Sequence, residues 1–144
     1  VLESLALLEY LPVDARFADV GTGAGLPGIP CLIAREDFSA VLIESKAKKA
    51  DFLRSVLAEL NLESRARVIN RQFEEAPLPD VSFVASRALD KFTQKLPRLL
   101  KWSGRAVKLF YGGNALPDEL AKHGAEFSEK LLPLSEQRFL FIIK

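Results

Sequence analysis

The stretch that decides the fold is RFADVGTGAGLPGIP, residues 16–30. Within it, a short apolar run is followed by a cluster of glycines: Gly21, Gly23, Gly25 and Gly28. Glycine is costly to order, so such a cluster indicates a sharp backbone turn or the close approach of a ligand. Residues 15–20 have the pattern of a strand, and residues 27–36 that of a helix with prolines in its first turn. The stretch therefore predicts a strand, a glycine-rich turn and a helix.

Outward from this stretch the chain alternates between strands and helices. The apolar patterns predict strands at 39–44, 66–70, 81–86 and 105–111, and helices at 2–11, 45–60, 89–102 (interrupted by Pro97) and 117–124. Residues 126–134 and 138–144 are predicted as two strands joined by a polar turn at 135–137, which is too short for a parallel crossover. We therefore predict an α/β fold in one domain over residues 1–144, with a mostly parallel open sheet that ends in an antiparallel hairpin.

The helix predicted at 45–60 has one apolar stripe, and its members are expected to face the sheet: Phe52, Leu53, Val56, Leu57 and Leu60.

Composition excludes several classes of protein. An apolar fraction of 49% and a charged fraction of 27% are typical of a globular protein, and no apolar run is long enough to span a membrane. The single cysteine, Cys31, excludes an internal disulfide and is typical of a cytoplasmic protein, in which we expect it to lie in the core. The single histidine, His123, and the lack of a Cys/His cluster argue against a metal site. The chain begins at Val1 and contains no methionine, so we expect a piece of a longer protein.

Charge is unevenly distributed along the chain. Between Lys46 and Lys108 there are fourteen Lys or Arg and seven Asp or Glu, although the whole chain has a net charge of only +1. A basic middle region suits a polyanion such as a nucleic acid. Ordinary solvated helix faces would give the same count.

Two acidic residues narrow the choice of ligand. Glu44 ends the second predicted strand, where a carboxylate can accept hydrogen bonds from both ribose hydroxyls of an adenosine cofactor and would repel a 2′-phosphate. Asp19 precedes the glycines, where a carboxylate suits a cofactor with an ammonium and a sulfonium better than one with a pyrophosphate. S-adenosylmethionine is therefore favoured over NAD. Asp19 could instead only cap the loop through backbone N–H groups.

The sequence resembles the RsmG family, also called GidB. The resemblance is carried by DVGTGAGLPGIP, by the acid-Ser-x-x-Lys segment that starts at Glu44, by FLRSVLAELNL at 52–62 and by SRA at 86–88. It covers nearly the whole chain and implies a Rossmann-like class I methyltransferase fold. It also implies S-adenosylmethionine as cofactor and methylation of guanine N-7 in 16S ribosomal RNA, on naked RNA or on the small ribosomal subunit. The family further implies a cytoplasmic monomer, in no contact with a membrane.

The resemblance assigns roles to particular positions. Cofactor contacts fall on the loop, on Glu44, on Phe73 beside the adenine, and on neighbouring residues: Asp19, Gly21, Gly23, Gly25, Leu26, Glu74 and Arg87. Arg87 is also a candidate catalytic residue, expected to pair with Asp19, Glu74 or an RNA phosphate. RNA contacts are expected at Lys48, Arg71 and Lys91. Plain core packing is the alternative for Phe73, a surface salt bridge the alternative for Arg87, and simple solvation the alternative for Lys48.

The chain departs from the family pattern at two places. The family's helical region before residues 2–5 is absent from this sequence. At the fifth strand Tyr111-Gly112 stands where the family has Lys-Gly, and Lys108 lies three residues earlier, on the opposite face of the strand. Tyr111 is therefore a second catalytic candidate, able to stack on a flipped-out base, or else a packing residue at the strand end. These departures keep two alternatives open: an RNA-binding relative that binds the cofactor without methylating, and an NAD-dependent oxidoreductase.

Overall fold

The predicted strands form one seven-stranded sheet in the computed structural model, which describes residues 3–87, 92–132 and 138–144. The strands are β1 (Arg16–Val20), β2 (Ser39–Ile43), β3 (Ala66–Ile69), β4 (Phe83–Ser86), β5 (Val107–Gly112), β6 (Phe127–Leu131) and β7 (Phe139–Ile143). Their spatial order is β3-β2-β1-β4-β5-β7-β6. β1 to β5 are parallel, whereas β7 lies antiparallel between β5 and β6. The predicted open sheet with an antiparallel end is confirmed; the turn at 135–137 lies outside the described residues.

Helices connect the strands, as the alternating pattern predicts. They are α1 (Gly28–Ala34), α2 (Ala47–Glu59), α3 (Phe92–Trp102) and α4 (Leu116–Lys122). The segment predicted as a helix at 2–11 contains a 3-10 helix, Ser4–Glu9, and a second 3-10 helix, Phe73–Glu75, follows β3. α3 continues through Pro97 rather than breaking there. Because Pro97 is exposed, water can satisfy the carbonyl that loses its donor.

Apolar side chains cover both faces of the sheet. Successive residues of β5 divide between the two: Leu109 and Tyr111 join the cluster that contains Leu7 and Leu53, and Phe110 joins the opposite cluster. Fully burying one such side chain contributes about 1.5–3 kcal/mol. Cys31 is fully buried in the first cluster, as predicted.

The stripe predicted on α2 is narrower than expected. Leu53 and Leu57 are buried, but Phe52 and Leu60 are 55% and 43% exposed. Ala50 is the third buried residue of the helix, beside Leu53 and Leu57. No helix in the described parts of the chain is long and apolar enough to cross a membrane.

Candidate functional site

The carboxyl ends of four adjacent parallel strands meet at one edge of the sheet. Val20 of β1 is in register with Ile43 of β2 and with Ser86 of β4. The residues that follow these strands are therefore neighbours in space. This is the edge at which open α/β sheets bind ligands.

The glycine loop after β1 adopts the backbone conformation that its sequence predicts. Gly21 and Gly23 have φ values of 69° and 58°, in the left-handed region that L-residues with side chains rarely adopt. A Cβ at Gly23 would meet no atom within 4 Å, so the space beside it is open. The loop is held on the sheet by the Gly21 N–H, which donates to the carbonyl of Ile43 at 2.9 Å. A ligand can thus approach the backbone at Gly23 closely.

Gly28 is required for a different reason, the space that its neighbours occupy. A Cβ there would lie 2.8 Å from both Asp19 Oδ2 and Leu42 Cδ2. The Gly28 N–H donates to Asp19 Oδ2 at 2.9 Å. The missing side chain lets the start of α1 approach the end of β1 and bind its carboxylate.

Asp19 is the most unusual charged group of this edge. Its side chain is fully buried, and within the described parts of the chain Oδ1 has no hydrogen-bond partner; the hydroxyl of Thr22, which is 3% exposed, has none there either. Burial raises the pKa of Asp19 to about 7, against the opposing effects of the nearby Thr22 hydroxyl, the Gly28 N–H and the Arg87 charge. Buried polar atoms without a partner are uncommon in folded proteins. This pair of oxygens therefore fits a ligand that brings N–H donors or positive charge.

Glu44 joins the ends of β1 and β2. Its residue is 6% exposed, and its two carboxylate oxygens accept from the N–H groups of Gly23, at 3.1 Å, and Lys46, at 2.8 Å. The Asn70 side chain, which the sequence reasoning missed, donates to the carbonyls of Glu44 and Ser45. With one such bond from the described residues on each carboxylate oxygen, each retains a lone pair that a ribose hydroxyl can use.

Arg87 lies at this edge, but its partner differs from those expected. Its Nη2 donates to Glu3 Oε2 at 3.2 Å, and Arg138 contacts the other oxygen of Glu3 at 3.4 Å. The expected pairing with Asp19 or Glu74 is therefore wrong, although the Arg87 charge still lowers the pKa of Asp19. Glu3 precedes the first 3-10 helix and lies 84 residues away in sequence, so no local signal could have identified it.

Tyr111 does not present its ring to a ligand. The residue is 1% exposed and lies in the core, and its hydroxyl donates to the carbonyl of Glu3 at 2.6 Å. The stacking role that we expected is incompatible with this position, which agrees with the alternative of a packing residue at the strand end. Lys108 lies on the opposite face, as predicted, where its Nζ donates to the carbonyl of Gly104.

The segment after β3 places Phe73 and Glu74 beside α3. Phe73 is 2% exposed and packs edge-on against Trp102, with ring centroids 5.6 Å apart, which favours the core-packing alternative over a contact with adenine. Glu74 pairs with Lys95 at 3.9 Å and Arg98 at 3.4 Å rather than with Arg87.

The structure describes two of the three predicted RNA contacts. Lys48 and Arg71 are both exposed and follow β2 and β3, at the same edge as the glycine loop. Lys91 lies outside the described residues. Leu26 is half-buried in the loop. The assignment of these residues to RNA or cofactor stays a prediction.

A separate cleft of about 310 Å³ lies at the opposite edge of the sheet. Its lining includes Arg16, Arg65 and Asp80, near the amino ends of the strands. Ligands of open parallel sheets bind at the carboxyl ends, so we place the functional site at the glycine loop and not here. Among the described residues no group of three or more His, Cys, Asp or Glu could hold a metal ion.

Solved structures share this fold at low sequence identity. A SAM-dependent methyltransferase from Aquifex aeolicus is 18% identical, with a TM-score of 0.75, over 98% of this chain and 88% of its own. The Bacillus subtilis M1A22 tRNA methyltransferase TrmK is 13% identical, with a TM-score of 0.78, over 99% of this chain and 64% of its own. The fold is therefore the Rossmann-like fold of these methyltransferases, as the resemblance implied.

Relatives at higher identity narrow the assignment. Proteins named ribosomal RNA small subunit methyltransferase G include one from Desulfotalea psychrophila, 44% identical over 61% of this chain and 42% of its own length. Another, from Mycolicibacterium smegmatis, is 35% identical over 90% of this chain and 53% of its own. The chain thus spans about half the length of the curated relatives it matches. The family model for GidB, rRNA small subunit methyltransferase G, matches residues 1–138, and the chain belongs to this family.

Proposed function

We propose that this protein transfers a methyl group from S-adenosylmethionine to N-7 of a guanine in 16S ribosomal RNA. One observation carries the proposal: the buried Asp19 carboxylate lies beside an open loop of positive-φ glycines, and one of its oxygens has no hydrogen-bond partner among the residues that the structure describes. The names of the relatives supply the substrate class. We also propose that the protein acts as a monomer in the cytoplasm.

The residues of the site fit this cofactor. Asp19 and Thr22 offer two buried oxygens to its cationic methionine end, and Glu44 offers a carboxylate to the ribose hydroxyls. The open backbone at Gly23 allows the cofactor to lie against the loop without a clash. A second negative charge near Asp19 would be repelled, so a pyrophosphate cofactor such as NAD fits less well.

The chemistry asks little of the protein beyond positioning. The bound cofactor supplies a methyl group activated by a positively charged sulfur. N-7 of guanine has a lone pair in its neutral form, so no residue has to remove a proton first. The protein therefore contributes by holding two reactants in line, an effect of proximity and orientation. The role proposed for Arg87, which pairs with Glu3 at the end of β4, is to hold the incoming nucleotide or its phosphate.

A second candidate function is RNA binding without methyl transfer. The observation that favours it is the position of Tyr111, whose ring is buried where the family has a lysine. At position 111, at the end of β5, the site then has no positively charged side chain. The cofactor would still bind, because the glycine loop, Asp19 and Glu44 do not depend on Tyr111.

Methyl transfer to ribosomal RNA tests the proposal directly. Purified protein is incubated with tritiated S-adenosylmethionine and small subunits or 16S RNA from a strain that lacks this methylation. The expected result is tritium in RNA, recovered as 7-methylguanosine after digestion to nucleosides. A matched Glu44→Gln variant should transfer far less label. Cofactor binding by the wild type without any transfer would refute the proposal and favour the non-catalytic function.

A further inference from the structure

A groove along α3 contains Phe73 and Glu74, which the family resemblance assigns to the cofactor, but neither Asp19 nor Glu44 lines it. It has a volume of about 400 Å³ and is lined by Phe73, Glu74, Arg98, Lys101 and Trp102. The 3-10 helix that forms one wall starts three residues after Asn70, which binds the backbone at Glu44. The Phe73 side of the groove therefore follows β3, at the carboxyl edge of the sheet, whereas the Trp102 side precedes β5, towards the amino edge.

The floor of this groove is an aromatic pair in a fixed position. Trp102 is half-buried, and its indole N–H donates to the carbonyl of Ala76 at 2.8 Å. Phe73 packs edge-on against it, with an interplanar angle of 69°, and the Lys95 ammonium lies 5.8 Å from the centre of the Phe73 ring. The hydrogen bond and the contact with Phe73 already hold the indole ring, so stacking of a ligand on it costs little further conformational entropy.

The rim of the groove is basic. α3 carries cations at spacings of three residues, Lys95, Arg98 and Lys101, and contains no acidic residue. This spacing places them along one side of the helix. Glu74 is the acidic member of the lining and pairs with Arg98, whose side chain stays 70% exposed. Arg98 and Lys101 belong to the lining, which with Glu74 has a surplus of one positive charge, and Lys95 lies next to it over the Phe73 ring.

We propose that this groove binds an unpaired base of the RNA, stacked on Trp102, with the adjacent phosphates on Arg98 and Lys101. An anchored aromatic ring between cations is the surface with which proteins hold single-stranded nucleic acids. The inference rests on the proposed RNA substrate and adds a contact surface outside the cofactor site. The competing occupant is the adenine of the cofactor, since the family resemblance assigns Phe73 and Glu74 to it.

Fluorescence of the protein's own tryptophan tests the groove. Trp102 is the single tryptophan of the chain, so its emission reports on this groove alone. A short single-stranded RNA of mixed sequence should quench this emission, and S-adenosylmethionine alone should not. RNA that binds by anisotropy without quenching Trp102 overturns the proposal. If S-adenosylmethionine alone quenches the emission and also prevents RNA from binding, the proposal is overturned, and the adenine of the cofactor is the occupant of the groove.

Variants separate the stacked base from the phosphates. Trp102→Leu should weaken RNA binding about tenfold, within the range of about 5- to 150-fold for one lost stacked base, whereas Trp102→Phe should retain most of the affinity. The double variant Arg98→Ala, Lys101→Ala should make the slope of log affinity against log salt concentration less negative, by about 0.7 for each phosphate contact that is lost. Arg16→Ala is the matched control, because Arg16 is also exposed and paired with one carboxylate, at the opposite edge of the sheet. Thermal melting confirms that each variant is folded.

The outcomes distinguish this inference from the proposed function. If the wild type binds both cofactor and RNA but the groove variants bind RNA as the wild type does, only the groove assignment is wrong. If the wild type binds cofactor and no RNA, the proposed substrate and the groove assignment fail together.

Discussion

Replacing Asp19 by Asn tests whether the buried carboxylate opposes folding when it is ionised. Burial raises the pKa of Asp19 from 3.8 to about 7. A shift of this size corresponds to about 4 kcal/mol between the two protonation states, since one unit is about 1.4 kcal/mol. The neutral form is the one that the fold prefers. The stabilisation is therefore fully present below the unfolded pKa and is lost as the pH rises through the folded pKa.

The prediction concerns the difference in unfolding free energy between wild type and Asp19→Asn. Between the unfolded pKa of 3.8 and the folded pKa of about 7, the unfolding free energy of the wild type should decrease relative to that of Asp19→Asn. The expected decrease is about 1.4 kcal/mol for each unit by which the pH rises. Urea denaturation of both proteins across this window, without cofactor, measures it.

A second carboxylate provides the control for this measurement. The Asp14 N–H, and then Arg35, lower the pKa of the half-buried Asp37. Its titration lies below the window, so the difference between wild type and Asp37→Asn should stay flat there. A flat or rising difference for Asp19→Asn would refute the account of a neutral, buried carboxyl.

The same protonation links cofactor affinity to pH. A cationic ligand beside Asp19 favours the ionised carboxylate, so binding should release a proton below pH 7 and tighten as the pH rises, by at most about tenfold per unit. Calorimetry in buffers of different ionisation heat measures the proton release. Asp19→Asn should abolish the release attributable to this group. Equal proton release by the wild type and Asp19→Asn would contradict the claim that Asp19 loses a proton when the cofactor binds.

Three further substitutions test the packing and the loop. Gly28→Ala should lower the unfolding free energy by about 1–3 kcal/mol in urea denaturation, because its Cβ would lie 2.8 Å from two neighbouring atoms; an unchanged stability would contradict this contact. Tyr111→Phe should cost about 1 kcal/mol through the lost bond to Glu3 and leave cofactor affinity within a factor of about two; a large loss of affinity would show that the hydroxyl belongs to the site. Glu44→Gln should weaken S-adenosylmethionine binding by about 10- to 100-fold in calorimetry, since a charge-assisted bond contributes about 1.5–3 kcal/mol; undiminished binding would exclude Glu44 as the ribose acceptor.

The sequence predicts most of the fold because the signals that begin and end its strands and helices are local. The glycines after β1, the continuous apolar run of β2 and the short link before β7 each depend on neighbouring residues alone. They suffice for a parallel sheet with an antiparallel end. The departures are at the surface and at the amino end: Phe52 is exposed on α2, and the first helix is a 3-10 helix. There packing against other elements decides the outcome, and local periodicity does not report it.

The candidate site was only partly predictable for the same reason. Asp19, Gly23 and Glu44 lie within 26 residues of one another, and their contacts follow from the strand register. Arg87 and Tyr111 both donate hydrogen bonds to Glu3, which lies 84 and 108 residues away from them in sequence. No pattern in the chain indicates a contact over such distances. The burial of Tyr111 accordingly emerged only from the packing of the first 3-10 helix on the sheet.

Thermal melting with S-adenosylmethionine, S-adenosylhomocysteine and NAD tests the central claim most directly, on wild type and on Gly23→Asp. A ligand at about 100 times its dissociation constant stabilises by about 2.7 kcal/mol, which is several degrees for a domain of this size. The account predicts a shift with both adenosyl ligands, none with NAD, and none in Gly23→Asp, whose carboxylate would occupy the open space beside the loop. A shift with NAD alone, or an equal shift in the variant, would contradict the placement of the cofactor at this loop.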